Sequence, residues 1–406
     1  MIDVGWTSDT CPRLRPLEAF PIEEEGARSF GLRDPGGLSD AVLVLSPAAL
    51  HIMSLIDGVR SCRGIRDAFE NIAGHALPPD TLHTLLDHLK KAHFLEGPGF
   101  DAFYAEKQNA FRADAVRKSP VPSALDVLNG SGDLFDELLA GAESPGLSSP
   151  VAGLIAPHLD YPRGGPCYAK AYATIGDRPP PDRVVILGTN HFGRSTSVVA
   201  TTADFETPFG IARTDVDFLS RVESRCGNLR TFELDHAREH SIELQVAWLQ
   251  QIFGSECIRM VPFLCPNPCG PNGFSAGDGE SVDLRDFAAI LGELVADDSQ
   301  DTLIVAGADL SHVGAAFGGD RRLDEDYLEE IRRYDLAALD HLVAGDPDAW
   351  VAHVAKDDNP THFCSAGCIY VLAAALPDRQ ATLFGYHQAV DQPSQTCVTC
   401  AAVVYS

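Results

Sequence analysis

The chain has 406 residues, is 45% apolar and carries a formal charge of −27. That length predicts one large and one small domain, and the acidity argues against a nucleic-acid or anionic-membrane surface, since both need positive potential. No charge-free apolar stretch approaches the roughly 18 residues of a membrane span, and Met1-Ile-Asp-Val-Gly-Trp6 lacks the basic-then-apolar layout of a signal peptide, so a cytoplasmic protein is expected.

In chain order, Val42 to Leu45 reads as a short strand. Ser46-Pro47 caps a helix running to Ile56, Ser61 opens a second that closes at Gly74, and Pro79-Asp80 opens a third with Leu82, Leu85, Leu86 and Leu89 at helical intervals. Phe94-Leu95 follows as an apolar strand. One strand, three helices and a final strand make a winged-helix outline. Residues 1–100 hold nine Lys/Arg against fourteen Asp/Glu, which favours a peptide or protein partner over a duplex. With Arg13-Leu-Arg15, Ala41-Val-Leu-Val-Leu45, Ser46-Pro-Ala-Ala49 and Leu55-Ile-Asp-Gly58, residues 1–105 resemble the PqqD-like peptide-recognition fold. That resemblance implies docking of an extended peptide by strand addition. The alternative is a small domain that only packs against its neighbour.

Residues 106–149 read as a helical linker: Ala102 to Arg117 has helical spacing, and Lys118-Ser-Pro-Val-Pro-Ser123 and Glu143 to Pro150 are breaker clusters. From 150 to 406 strands and helices alternate. Asp215–Val222, Ile242–Phe253 and Phe287–Val295 are helical, Met260–Leu264 and Thr302–Ala306 strand-like, and Pro266–Gly279 a surface loop. Layered α/β architecture with a central, largely parallel sheet is expected.

Three apolar runs end on histidine: Val151 to His158, Arg183 to His191 and Thr302 to His312. In a parallel sheet the carboxyl ends of the strands form the ligand crevice, so three imidazoles delivered there suit a transition metal. The plainer alternative is that each caps its strand. Asp160, two residues past His158, is placed to fix its tautomer, and Gly188 to let backbone approach a ligand. Glu239-His240-Ser-Ile-Glu243 opens a helix whose two acids, at i and i+4, share one face and could support a ligand or act on a substrate proton. Asp309 and His312 leave one strand-end turn as a metal-binding or general-base pair. The eleven cysteines are scattered and expected as free thiols. Cys265/Cys269 and Cys397/Cys400 have metal-ligand spacing, but the latter pair alternates along a strand, which disfavours a chelate.

Ile155-Ala-Pro-His-Leu-Asp-Tyr161, Leu187-Gly-Thr-Asn-His191, Glu206-Thr-Pro-Phe-Gly210 with Asp215, Glu239-His-Ser-Ile-Glu-Leu-Gln245, Ala308-Asp-Leu-Ser-His312 and Cys364-Ser-Ala-Gly-Cys-Ile369 together resemble the Memo family, which includes the B component of the AmmeMemoRadiSam group. The resemblance implies a fold like that of class III extradiol dioxygenases and a metal centre at His158, His191 and Cys364. It places Asp309 and His312 beside that centre; Glu243 and His240, from the cluster read above, are further catalytic candidates. Two imidazoles and a thiolate suit Fe(II) first, copper or zinc second, and the resemblance implies dioxygenase-like redox or oxygen chemistry on a small molecule or peptide, with radical SAM and AMMECR-type partner proteins. A non-catalytic peptide- or protein-binding module using the same crevice is the alternative. The chain departs from the family at Cys364-Ser-Ala, where Cys-Gly-Arg is usual, at Cys368, usually proline, and at His158-Leu-Asp, where His-Ala-Gly is more frequent.

Overall fold

The computed structural model describes residues 5–24, 27–118, 133–142, 147, 149–255 and 258–406. It divides into two compact units, Met1–Phe111 and Arg112–Ser406. Among the described residues no helix is long and apolar enough to cross a membrane.

In the first unit β1 (Glu18–Glu24), β2 (Ala27–Arg33) and β3 (Val42–Leu45) form an antiparallel sheet in that order. Helices α1 (Pro47–Met53), α2 (Cys62–Ala73) and α3 (Pro79–Lys91) follow, and α4 (Pro98–Ala113) carries the chain across the boundary. The caps form as the sequence implies: Ser46 and Ser61 accept from the backbone N–H of Ala49 and Gly64, and Gly74 ends α2 in the left-handed region, at φ +73°. Leu32, Ile52, Ile65, Leu82, Leu86, Leu89 and Phe94 close one core. Two features differ from the expected outline. The β1–β2 hairpin precedes the first expected strand, and the apolar segment at 94–95 makes only an isolated bridge, Leu14 to Leu95. β3 is an edge strand whose Val42 and Val44 are 56% and 64% exposed.

The second unit is built on one sheet. Its parallel centre is β5 (Gly153–Ala156), β11 (Thr302–Gly307), β6 (Arg183–Thr189) and β10 (Arg259–Cys265), adjacent in that order. Beyond β10 lie β9 (Gly210–Thr214), β8 (Asp204–Thr207) and β4 (Val116–Arg117), with β7 (Val199–Ala200) also on β10. Beyond β5, β14 (Thr396–Tyr405) runs antiparallel and pairs with β12 (Asp309–Gly314) and β13 (Ala381–Asp391).

The unbroken apolar runs have a direct physical reading: alternate residues feed opposite layers. Val185, Leu187, Val261, Phe263, Ile304 and Ala306 face a core with α7 (Val216–Cys226), α9 (Leu284–Ala296), α10 (Glu325–Val343), α11 (Pro347–Ala355) and α12 (Ala366–Ala375). Val184, Ile186, Met260, Leu264, Leu303 and Val305 face the other, with α5 (Asp133–Ala140), α6 (Tyr161–Tyr172) and α8 (Glu243–Phe253). Phe135 of α5, in the stretch expected as linker, is fully buried there and stacks on Trp248 at 4.0 Å.

The run from Thr302 to His312 is not one strand ending in a turn. It breaks at Ala308, and Asp309 to Gly314 form β12, paired with β14 and not with the parallel centre. Cys397 and Cys400 lie on β14 in different apolar clusters, and all ten described cysteines are free.

Candidate metal centre

The parallel strands end level, with Ala156 opposite Gly307 and Leu187 opposite Ala306. His158 and His191 each emerge two residues beyond their strand, at the crevice where open α/β sheets bind ligands. The third imidazole at this point is His240, not His312. His158, His191 and His240 offer ligand atoms that all lie within 4.8 Å of one another. The rings of His191 and His240 stack at 5.2 Å, and that of His158 stands edge-on to both, at 4.8 and 5.4 Å.

Neighbouring groups decide how these rings are protonated. His158 Nδ1 lies 2.9 Å from the carbonyl of Gly307, which only accepts, so Nδ1 carries the proton and Nε2 faces the cluster. Nε2 is 3.4 Å from an Asp309 carboxylate oxygen and 3.5 Å from Cys364 Sγ. Burial alone would depress this imidazole, but Asp309 and Cys364 outweigh it and hold His158 up at about 9. His191 Nδ1 lies 3.1 Å from both oxygens of Glu239. Burial again opposes the charge, and Glu239 raises His191 well above the usual range. His240, with its Nδ1 3.5 Å from Glu239, is pushed by burial down to about 4 and stays neutral.

The anionic side of the site is as well defined. Glu239 accepts from the backbone N–H groups of His191, His240 and Ser241 at 3.2, 2.9 and 3.0 Å. Burial would raise its carboxyl, but His191 and these bonds hold it well below the usual range. The Cys364 thiol is likewise disfavoured as an anion by burial, yet His312 and His158 bring it well below the ordinary thiol range. Burial pushes the Asp309 carboxyl up, against the pull of His158. The Asp309 side chain accepts from His158 N at 3.0 Å, which locks the two motifs together.

Other sequence expectations resolve differently. Asp160 does not orient His158; it caps α6, accepting from Arg163 N at 3.1 Å and pairing with the Arg163 side chain. Gly188 leaves room for protein and not for a ligand, because a Cβ there would meet Ser241 Oγ at 2.5 Å and Ile242 Cγ1 at 2.7 Å. Glu239 and Glu243 share no helix face, since α8 begins only at Glu243 and Glu239 is extended. Glu243 is fully buried and pairs with Arg117 at 2.8 Å. Arg117 also donates to the carbonyls of His236, at 2.6 Å, and Glu239, so it clamps the segment that delivers Glu239 and His240. His312 sits on β12 with Nδ1 3.1 Å from the Leu310 carbonyl, and acts electrostatically on Cys364. The acid–imidazole doublet Glu239-His240 was the available signal for the third imidazole; nothing local to Arg117 announces its role.

The donor set fits a divalent transition ion. Imidazoles with outward Nε2 atoms, a thiolate and buried carboxylates facing an imidazole form a cation site.

A family model described as "Memo-like protein" matches residues 133–404. Among curated relatives, the MEMO1 family protein TTHA0924 of Thermus thermophilus is 30% identical over 268 residues, 65% of this chain and 74% of that one. A MEMO1 family protein of Aquifex aeolicus is 24% identical over 314 residues, 77% and 78% of the two chains. Among solved structures, uncharacterized protein JW3007 from Escherichia coli K12 aligns with a TM-score of 0.40 and 16% identity, covering 63% of this chain and all of that one.

Proposed function

The chain belongs to the Memo-like family, and from that premise we propose that its large unit is a metal-dependent oxidoreductase of dioxygenase-like type, acting on a small molecule or peptide. The ion would be held by His158 and His191, with His240 and Cys364 offering further ligands. Fe(II) is the first choice and copper or zinc the second, because two imidazoles with a thiolate or a third imidazole suit each of them. Fe(II) or copper would supply redox or oxygen chemistry when bound, and zinc Lewis acidity alone. The protein's own part is to fix the tautomers of His158 and His191 through Gly307 and Glu239, and to offer Asp309 and His312 for holding or moving a proton beside the reacting centre. The observation that carries this reading is the facing of an Asp309 oxygen and Cys364 Sγ onto His158 Nε2, two anionic groups converging where a cation would sit.

A second reading, binding of an extended peptide, is favoured by one feature of the first unit: the edge strand β3 with exposed Val42 and Val44, a surface suited to strand addition. It stands either as delivery of a substrate to the large unit or as the whole function.

Metal analysis of the purified protein combined with dioxygen consumption separates these. About one divalent ion per chain, lost in a His158→Ala, His191→Ala double variant, is expected. Stoichiometric metal in that variant would refute the centre, and metal without redox turnover on any peptide or phenolic substrate would leave the binding reading.

A further inference from the structure

Ser365 is the residue of this site whose proton can be placed by counting. It is 1% exposed, lies between Cys364 and the first turn of α12, and caps no backbone N–H with its side chain. Its hydroxyl oxygen has three neighbours: Asp309 N at 3.1 Å, Thr189 Oγ1 at 3.1 Å and Cys364 Sγ at 3.1 Å. A hydroxyl accepts two hydrogen bonds and donates one. Asp309 N can only donate. Thr189 donates as well, its alternative being the sulfur of Cys368 at 3.7 Å, a buried neutral thiol and a poor acceptor. Both lone pairs of Ser365 are then occupied, and its proton is left for Cys364.

Resting on the metal reading above, we propose that Ser365 is a positioning residue of the centre: its hydroxyl donates to Cys364 Sγ and fixes the sulfur as an acceptor 3.5 Å from His158 Nε2. The same hydroxyl ties the sulfur to the ends of β6 through Thr189 and of β12 through Asp309 N. Cys364 precedes α12, and its sulfur otherwise meets His158 Nε2 at 3.5 Å and the Asp309 carbonyl at 4.0 Å, longer contacts than the one to Ser365. A donor on a metal-bound sulfur stabilises its lone pairs, so it raises the energy of sulfur-to-metal charge transfer while limiting the sulfur's freedom to swing away.

The test uses the full chain loaded with Co(II), read by near-ultraviolet charge-transfer absorption and by Co(II) affinity. The wild type should show a sulfur-to-cobalt band that disappears in Cys364→Ser. Ser365→Ala should move that band to longer wavelength and weaken Co(II) binding roughly 10-fold or more, in the range typical of lost supporting hydrogen bonds. Thr189→Val removes a bond into Ser365 but keeps its proton, and should leave the band in place. Circular dichroism checks each fold, and Ser365→Gly, which also deletes the hydroxyl, takes over if the alanine variant unfolds. An unmoved band in Ser365→Ala or Ser365→Gly, or an equal shift in Thr189→Val, overturns the role of Ser365 while leaving the metal centre standing. Absence of the band in the wild type overturns both this role and the assignment of Cys364 as a ligand.

Discussion

Replacing Glu239 by Gln tests whether the protein dictates which nitrogen of His191 is free for a metal. The carboxylate accepts through one oxygen from His240 N and Ser241 N, at 2.9 and 3.0 Å, and through the other from His191 N at 3.2 Å, while both oxygens stand 3.1 Å from His191 Nδ1. Every one of these partners donates. A glutamine must turn its amide nitrogen toward one side, and the side with a single backbone donor is the less crowded. There the amide N–H faces His191 Nδ1, and the ring relieves the conflict by moving its proton to Nε2, away from Glu239. That tautomer has no lone pair at Nε2. Loss of a supporting carboxylate ordinarily weakens metal binding roughly 10–100-fold, or about 1.4–2.8 kcal/mol. The expected result is a dissociation constant for Zn(II) or Co(II) raised by at least that factor in chelator competition. Nitrogen-15 NMR of the apo-protein should show His191 changing from the doubly protonated ring to the neutral Nε2–H form. Glu239→Asp, which keeps the charge but withdraws it by one methylene, should fall between. An affinity within twofold of wild type with an unchanged tautomer would refute the reasoning.

The remaining predictions concern what holds the site up. Burial pushes Asp335 up to about 6, against hydrogen bonds from Ser311, Thr399 and Tyr386, and the usual unfolded value is about 3.9. The folded state therefore binds the extra proton, and stability falls as pH rises through the window from about 4 to about 6. Urea unfolding should show wild type losing up to about 3 kcal/mol relative to Asp335→Asn across that window, and equal slopes would contradict the assignment. Arg117→Met leaves Glu243 buried without its cation and should destabilise the large unit by about 3–5 kcal/mol. The Arg117→Met, Glu243→Met double variant should recover most of that loss by calorimetry. A single variant within 1 kcal/mol of wild type, about the scatter of a surface pair, would show the pair to be dispensable.

The strands of the parallel centre were legible because burial on both faces leaves no polar alternation, and the run from Arg183 to Thr189 cannot be placed anywhere else. From them His158 and His191 follow, since a residue just past such a strand must stand at the crevice. His240 does not follow. It lies between a 3-10 turn and α8, on a segment whose path is set by Arg117, more than a hundred residues earlier in the chain. The reading of Asp160 as the partner of His158 failed for a related reason. Proximity in sequence is not proximity of side chains: the first turn of α6 offers Asp160 an orphan N–H and an arginine, and the imidazole turns to the backbone of a neighbouring strand. The second strand past Ala308 was invisible because Asp309-Leu-Ser-His-Val-Gly314 reads as a polar turn, and only its pairing with β14 makes it a strand. In the first unit β1, Glu18-Ala-Phe-Pro-Ile-Glu-Glu24, holds three glutamates and a proline in seven residues, which masks the pattern of two that marks an edge strand.

Charge balance joins these residues into one device. A thiolate and two carboxylates, all buried, are costly unless countered, and the counter-charges at hand are His158 and His191, each held above its ordinary range. His240, pushed down by burial and by the neighbouring His158 and His191, remains neutral. Without an ion the site's negative charge is therefore largely offset by protons on two imidazoles whose Nδ1 positions are already committed to Gly307 and Glu239. The exchangeable protons are those on Nε2, the atoms a metal would bond. A divalent ion brings the same two positive charges to the same place, so it can replace the pair of protons without disturbing Glu239, Asp309 or the backbone around them. Metal and protons then compete for one set of lone pairs, and affinity must weaken as pH falls. The clamp of Arg117 on the carbonyls of His236 and Glu239 holds the geometry through that exchange, because neither carbonyl takes part in it.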